Sequence, residues 1–374
     1  MIYLDNASTT RPSDAAKKAV LEAMEHFGNP SSLHGMGLES EKLIEKSRGV
    51  IASRLGVDKK KLFFTSGGTE ANNTAIFGVA KALKKRGNRI ITSEIEHPSV
   101  LESFRALESE GFEVIYLPSD KNGRIDLESA ENAIDHKTSL VSVMCVNNET
   151  GIIQPVKEIG AILRKKSDFG LLHTDAVQAF CKTDCSKQAT GADLISVSSH
   201  KIHGPKGVGA LYVGAGRIIP LLYGGSQQAA IRPGTENVPG IAGFGAAAEE
   251  SYGNCDVLYD TLKKGITELI PDVKINGAEE YASKYVLNVS FLGIKAEVLL
   301  HTLENYGIYV STGSACSSHK PEPSHVLTAM GCTAEETGGA VRMSFDTELT
   351  VEDMEKTVEI LNKEVTVLRR YSRR

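Results

Sequence analysis

Ser198-Ser199-His200-Lys201-Ile202-His203-Gly204-Pro205-Lys206-Gly207 is the stretch on which the reading of this chain turns. The apolar run 192–197 feeds into it, and Gly207-Val208-Gly209-Ala210-Leu211-Tyr212 leads out of it. Both runs read as buried strands, so Lys201 sits on a tight polar loop between two core elements. A lysine crowded by His200, Gly204 and Gly207 is badly placed for solvation. Partly desolvated, it loses its charge and becomes a nucleophile suited to an imine with an aldehyde cofactor. An isolated loop lysine has a plainer reading as a solvated side chain. The rest of the sequence decides between the two.

Working outward, helical patterns alternate with β-rich runs between residues 15 and 250. The runs are Lys61–Thr65, Arg89–Ser93, Glu113–Leu117, Leu140–Val146, Gly170–Thr174, Leu194–Ser198 and Val208–Val213. Alternation of this kind predicts an α/β fold with a mostly parallel seven-stranded sheet covered on both faces. Beyond residue 250 the texture changes. Helices at Asp256–Glu268 and Val351–Val367 flank strands at Val286–Phe291 and Val341–Phe345. The expectation is a large domain over 15–250 and a smaller α+β domain formed by 1–14 with 251–374. Ile2-Tyr3-Leu4 reads as a strand of the smaller unit, ahead of a first long helix at Ser13–Phe27.

The chain has 374 residues, 41% hydrophobic and 24% charged, with a net charge of −5. That mild acidity argues against a nucleic-acid binder. The basic tail 369–374 reads as a frayed terminus. No signal peptide or membrane span is read, which makes the cytoplasm the expected location. The six cysteines form no CxxC pair and no metal-ligand framework, and a reducing compartment suits them.

In open α/β sheets the ligand crevice lies at the carboxyl ends of the strands. Polar residues cluster at those ends. Ser66-Gly67-Gly68-Thr69 follows the first run and opens a helix over 70–85. Small residues and free N–H groups there form a phosphate cup, to which Thr69 adds a hydroxyl; an ordinary N-cap is the alternative. Asp175 ends a buried run and needs a cationic partner, met either by a pyridinium nitrogen or by a structural ion pair. Gln178, three residues on, reaches the same face. His97 can stack on an aromatic ring and still move protons. Asn148 and Arg342 are candidates for a substrate carboxylate, which arginine binds bidentately. An imine-forming lysine, a pyridinium partner, a phosphate cup and a stacking histidine together specify pyridoxal 5′-phosphate. Neither GxGxxG after a strand nor GxxxxGK[ST] is present, so a nucleotide site has no support.

Cys316 lies in Ser311-Thr312-Gly313-Ser314-Ala315-Cys316-Ser317-Ser318-His319-Lys320-Pro321, a run rich in turn formers that reads as an exposed loop over about 311–325. A thiol beside His319 and Lys320 is held partly as the nucleophilic thiolate. An incidental surface thiol is the alternative.

These residues resemble the group I cysteine desulfurases, NifS/IscS-like members of the class V aminotransferase superfamily. The resemblance spans nearly the whole chain. It rests on Tyr3-Leu4-Asp5-Asn6-Ala7, Thr65-Ser66-Gly67-Gly68-Thr69-Glu70, Glu96-His97, Asn147-Asn148-Glu149-Thr150-Gly151, His173-Thr174-Asp175, Ser199-His200-Lys201, Arg232-Pro233-Gly234-Thr235-Glu236-Asn237 and Gly313-Ser314-Ala315-Cys316.

The resemblance implies a fold-type I pyridoxal-phosphate enzyme that is a homodimer and converts L-cysteine to L-alanine. Lys201 would carry the imine, Asp175 would pair with the ring nitrogen, and Gln178 would contact the ring hydroxyl oxygen. His97 would stack on the ring. Gly68, Thr69, Ser198 and His200 would hold the phosphate, joined by Thr235 from the neighbouring subunit. Asn148 and Arg342 would bind substrate. Cys316 would take the sulfur as a persulfide and pass it to an acceptor protein of the iron–sulfur scaffold or tRNA-thiolation type. A selenocysteine lyase or an aminotransferase on the same scaffold is the competing enzyme, and a sulfur carrier without catalysis is the competing binding protein. Transamination needs no mobile thiol, and a carrier has no use for an imine-forming set.

Overall fold

The computed structural model describes residues 1–216, 218–250, 252–312 and 323–372, so Cys316 lies outside the described residues. Seven strands form the main sheet. Their order is Leu62–Thr65, Gly209–Val213, Leu194–Ser198, Leu171–Asp175, Thr138–Met144, Arg89–Ser93 and Glu113–Leu117. Neighbours are parallel except at Gly209–Val213, which runs antiparallel to both of its partners. The expected mostly parallel sheet is therefore present, with strand ends within about two residues of those read from the sequence.

Side chains alternate across this sheet. Ile91, Val141 and Ile195 join one core cluster, while their neighbours Ile90, Leu140 and Leu194 join another on the opposite face. A period of two on strands buried on both sides requires helices on both sides. Helices Gly68–Leu83 and Pro98–Ser109 cover one face through Ile76, Val79 and Phe104. Helices Gly35–Leu55, Val156–Lys166 and Val238–Glu249 cover the other through Ile51, Leu163 and Phe244. Each fully buried phenylalanine contributes roughly 1.5–3 kcal/mol.

Leu62–Thr65 is an edge strand, and side chains occupy its open edge. Gln228 Oε1 accepts the Phe64 N–H at 2.9 Å, and Arg48 Nη1 donates to the Leu62 carbonyl. Such an edge would otherwise invite another strand. Gln228, Ala229 and Ala230 all have left-handed backbones, with φ of 46°, 54° and 60°. That conformation costs a non-glycine residue roughly 1–2 kcal/mol, so tertiary contacts must hold the turn.

A second, antiparallel sheet has the order Ser311–Thr312, Ala340–Ser344, Val286–Phe291 and Val273–Ile275. It shares a core with helices Asp256–Leu269 and Val351–Ser372, built on Leu262, Phe291, Met343 and Leu361. Ile2 and Leu4 belong to this core, and Ile2–Tyr3 pairs in parallel with Ile308–Tyr309. The basic tail departs from expectation. The last helix runs on to Ser372, and Arg369 donates to the carbonyls of Leu292, Pro271 and Asp272 at 2.7–2.9 Å. A guanidinium with several such acceptors is a structural tie. Among the described residues, no helix is long and apolar enough to cross a membrane.

Candidate active site

The carboxyl ends of the parallel strands open onto a cavity of about 670 Å3. Its lining includes Gly68, Thr69, His97, Asn148, Asp175, Gln178, Ser198, His200, Lys201 and Arg342. Thr235 does not line it and is exposed to solvent.

Lys201 follows the strand Leu194–Ser198 through a single 3-10 turn, Ser199–Lys201. Its Nζ donates to the carbonyls of Ala7 and Ser8 at 2.6 and 2.7 Å. Gln178 Nε2 reaches the same Ala7 carbonyl at 2.9 Å. The first residues of the chain thus form one wall of the site.

Asp175 sits 7% exposed at the end of Leu171–Asp175. Its Oδ1 accepts the Val177 N–H at 2.9 Å, and its Oδ2 accepts Asn72 Nδ2 at 2.7 Å. Asn72 Nδ2 also donates to Ser99 Oγ at 2.9 Å, and Ser99 Oγ lies 2.8 Å from His97 Nδ1. A chain of polar contacts therefore runs from Asp175 to His97. His97 caps the helix Pro98–Ser109, its Nδ1 accepting the Ser99 N–H at 3.1 Å. The neutral ring then carries its proton on Nε2. Burial lowers the His97 pKa, outweighing the opposite pull of Asp175, so the neutral form is favoured.

The cup is built for close approach. A Cβ on Gly68 would lie 2.7 Å from Val177 Cγ2, so any larger residue would displace Val177 at the rim of the cup. Ser198 Oγ is buried with no hydrogen-bond partner. His200 lies 3.2 Å from Thr9 Oγ1, and burial, then Lys201, push its pKa down to about 4. Glu70, in the first turn of the helix, accepts the Ser66 N–H at 2.8 Å and Arg232 Nε at 2.9 Å. Burial raises the Glu70 carboxyl, but these bonds outweigh it and hold the pKa below its ordinary value.

Arg342 is 5% exposed on the strand Ala340–Ser344. It donates to the Asn148 carbonyl and to Asp5 Oδ1, both at 2.9 Å, and to Ser8 Oγ. Its Nε and Asn148 Oδ1 are buried without partners. Below them, Glu149 meets Ser324 Oγ, and burial raises its pKa. Glu96 is wholly buried, and burial pushes its carboxyl up to about 8.

Asn72, Asp5 and the Ala7 and Ser8 carbonyls are site residues that sequence reasoning missed. Asn72 left one usable signal. It stands one helical turn before Ile76, on a stripe that is otherwise apolar.

Burial pushes the thiols of Cys145 and Cys255 up to about 12 and that of Cys181 up to about 11, and raises those of Cys185 and Cys332. Among the described residues, no His, Cys, Asp and Glu group is arranged to hold a metal ion.

Residues 2–357 match the aminotransferase class-V family. The chain is 43% identical to the cysteine desulfurase IscS of Clostridium botulinum, over 99% of this chain and 96% of that protein. A solved NifS-like protein superposes with a TM-score of 0.91 at 38% identity, covering 98% of this chain and 100% of that one. The structure of SspA in complex with cysteine superposes with a TM-score of 0.83 at 33% identity, covering 92% and 99% respectively.

Proposed function

The chain belongs to the class-V aminotransferase family, and from that footing we infer that it is a cysteine desulfurase converting L-cysteine to L-alanine. One observation carries the reading. A lysine held by backbone carbonyls, a buried aspartate and a buried arginine converge on one cavity at the strand ends.

The residues fit pyridoxal 5′-phosphate. The unpartnered Ser198 Oγ and the bare backbone at Gly68 suit a phosphate, which Thr69 and His200 would join in holding. When bound, this aldehyde supplies an electron sink for bonds at the substrate α- and β-carbons. The Asp175 carboxylate, fixed by Asn72 and Val177, favours a proton on a ring nitrogen placed beside it. His97 offers a flat, neutral ring for stacking, and Gln178 a side-chain amide for the ring hydroxyl oxygen. Lys201 would anchor the aldehyde, and its Nζ would move a proton at the substrate α-carbon. Arg342 Nε and Asn148 orient the substrate carboxylate.

The Cys316 thiolate attacks the substrate sulfur, the S–S bond of a persulfide forming as the Cβ–S bond breaks. The electron pair stays with the substrate, which is protonated to alanine, and the outer sulfur passes to an acceptor protein. The other five cysteines suit this role poorly, because their raised pKa values leave little thiolate at neutral pH. The working unit is a homodimer in which Thr235 projects to the partner's cofactor phosphate. Supporting this, Leu21, Met24, Phe27 and Leu33 are large apolar side chains left 60–95% exposed on the first helix and the loop after it. Large apolar side chains left in solvent along one short segment suit an association surface. Incubation with L-cysteine, with and without reductant, tests the reading. Alanine and reductant-dependent sulfide in equal amounts are expected, and absence of alanine from cofactor-loaded protein refutes it.

A further inference from the structure

We infer that Glu70 is a positioning residue serving two cofactor cups at once, that of its own chain and that of the partner subunit. The inference rests on the dimeric reading above, in which Thr235 crosses to the neighbouring site.

The two carboxylate oxygens of Glu70 face different structures. Oε2 accepts the N–H of Ser66, the residue that leads into the Gly67-Gly68-Thr69 cup. Oε1 accepts Arg232 Nε, the first side chain of the loop carrying Thr235. The pair is shielded, with side chains 26% exposed for Arg232 and 18% for Glu70. A charge-assisted bond with that little solvent holds its geometry better than a surface pair.

The loop has no slack to absorb a movement of Arg232. Gln227 Oε1 accepts the Gly234 N–H at 3.1 Å, and Gln228 Nε2 donates to Glu236 Oε1 at 3.1 Å. Gln228 is itself fixed on the Phe64 N–H of the edge strand. Residues 232, 234 and 236 are therefore each tied down, and Thr235 stands between tied neighbours. The left-handed turn at 228–230 is the backbone strain these ties sustain. Thr235 is exposed and does not line its own cavity, while its support is continuous with that cavity's cup through one carboxylate. In a symmetric dimer, a displacement of Glu70 moves the Ser66 N–H on one side and Thr235 on the other.

Mixed dimers carrying two different affinity tags test this. The readout is cofactor release, followed by loss of the bound cofactor's visible absorbance when it is trapped by an excess of a second apo-protein. Pairing one wild-type subunit with one Glu70→Gln subunit is expected to speed release at both sites, about tenfold at the one whose acceptor becomes the amide NH2 and less at the one whose bond survives without its charge. Pairing wild type with Arg232→Ala, or with Thr235→Val, is expected to give one fast site and one of wild-type rate. Glu70→Asp keeps the charge, shortens the reach and gives the two-site pattern. It serves if Glu70→Gln yields no dimer. A single fast site, or none, in the Glu70 mixed dimers overturns the inference while leaving the dimeric reading intact. A monomer in sedimentation, or unchanged release from the Thr235→Val homodimer, overturns the dimeric reading itself and the inference with it.

Discussion

Asn72 Nδ2 donates to Asp175 Oδ2 at 2.7 Å, and the same amide reaches Ser99 Oγ at 2.9 Å. One side chain therefore fixes the buried carboxylate and, through Ser99, the His97 ring. Asn72→Ala is expected to lower kcat about tenfold, the worth of one hydrogen bond to a buried charge. KM for cysteine should move much less, because Asn72 does not touch the carboxylate-binding pair. Asp175→Ala should be slower still and lose far more activity than thermal stability. Steady-state kinetics with a melting curve for each variant checks both, and wild-type turnover by either variant would remove it from the machinery.

Only a thiol can accept sulfur as a persulfide. Cys316→Ser is expected to bind cofactor and L-cysteine, to make little alanine and to carry no persulfide. Mass spectrometry after a single addition of L-cysteine reads the persulfide directly. A persulfide on Cys145, Cys181, Cys185, Cys255 or Cys332 would transfer the role to that residue. Lys201→Ala should lack the visible absorption of the lysine-linked cofactor, which an absorbance scan without amino acid checks.

Glu96 predicts a pH dependence of stability. Burial raises its pKa from 4.5 to about 8, so between those values the unfolded chain loses a proton that the native protein keeps. The unfolded state binds fewer protons there, and stability from this group falls as pH rises from 4.5 to about 8, then levels off. Glu96→Gln retains an oxygen for the Ser93 hydroxyl and the Met144 N–H, at 2.7 and 2.9 Å in the parent. Urea midpoints for the variant should decline less between pH 5 and about pH 8 than those of the parent. Parallel declines would mean that Glu96 ionises normally in the native state.

The exposed Phe27 ring, 80% accessible, is a direct handle on association. Phe27→Asp is expected to weaken the dimer about tenfold or more, as loss of an aromatic anchor does at an interface centre. Sedimentation equilibrium measures it. An unchanged dimer would place the interface elsewhere.

Ala230 occupies a left-handed backbone at φ 60° that glycine adopts without strain. Ala230→Gly should therefore stabilise the protein by up to about 1 kcal/mol, net of the entropy glycine adds to the unfolded chain. A lowered urea midpoint would show that the Ala230 methyl group packs more tightly than its backbone is strained.

The large sheet was legible because its strands are short, continuously apolar and bounded by turn formers, and because polar residues stand at one end of each. Lys201, Asp175 and His97 could be singled out there as candidates, because each stands at a strand end and they gain weight in one another's company. The Arg342 partnership with Asp5 could not, since it spans 337 residues and neither neighbourhood hints at the other. Asn72 was hidden for a different reason, as an asparagine within a helix looks like surface until its stripe is known to be buried. Ser311–Thr312 and Val273–Ile275 are too short to carry a periodic signal, so the order of the second sheet came only with the structure. Arg369 at the start of the basic tail differs from the frayed terminus expected, because a basic-rich run gives no sign of the carbonyls waiting for its guanidinium.

The opening residues that grip Lys201 and Arg342 have a further consequence, in time. During synthesis they emerge long before the segments they bind, Ile308–Tyr309 and Ala340–Ser344. At ribosomal rates of roughly 5–20 residues per second, that wait is on the order of tens of seconds. The seven-stranded sheet can form meanwhile, and Thr10 and Ser13 can already bond to the Lys201 loop at His200 and His203, but the side of the cavity that Arg342 lines is still missing. The nascent protein thus holds a nearly complete rim before Ile308–Tyr309 pairs with Ile2–Tyr3 and Arg342 reaches Asp5, so the substrate-binding side of the site is the last to be assembled.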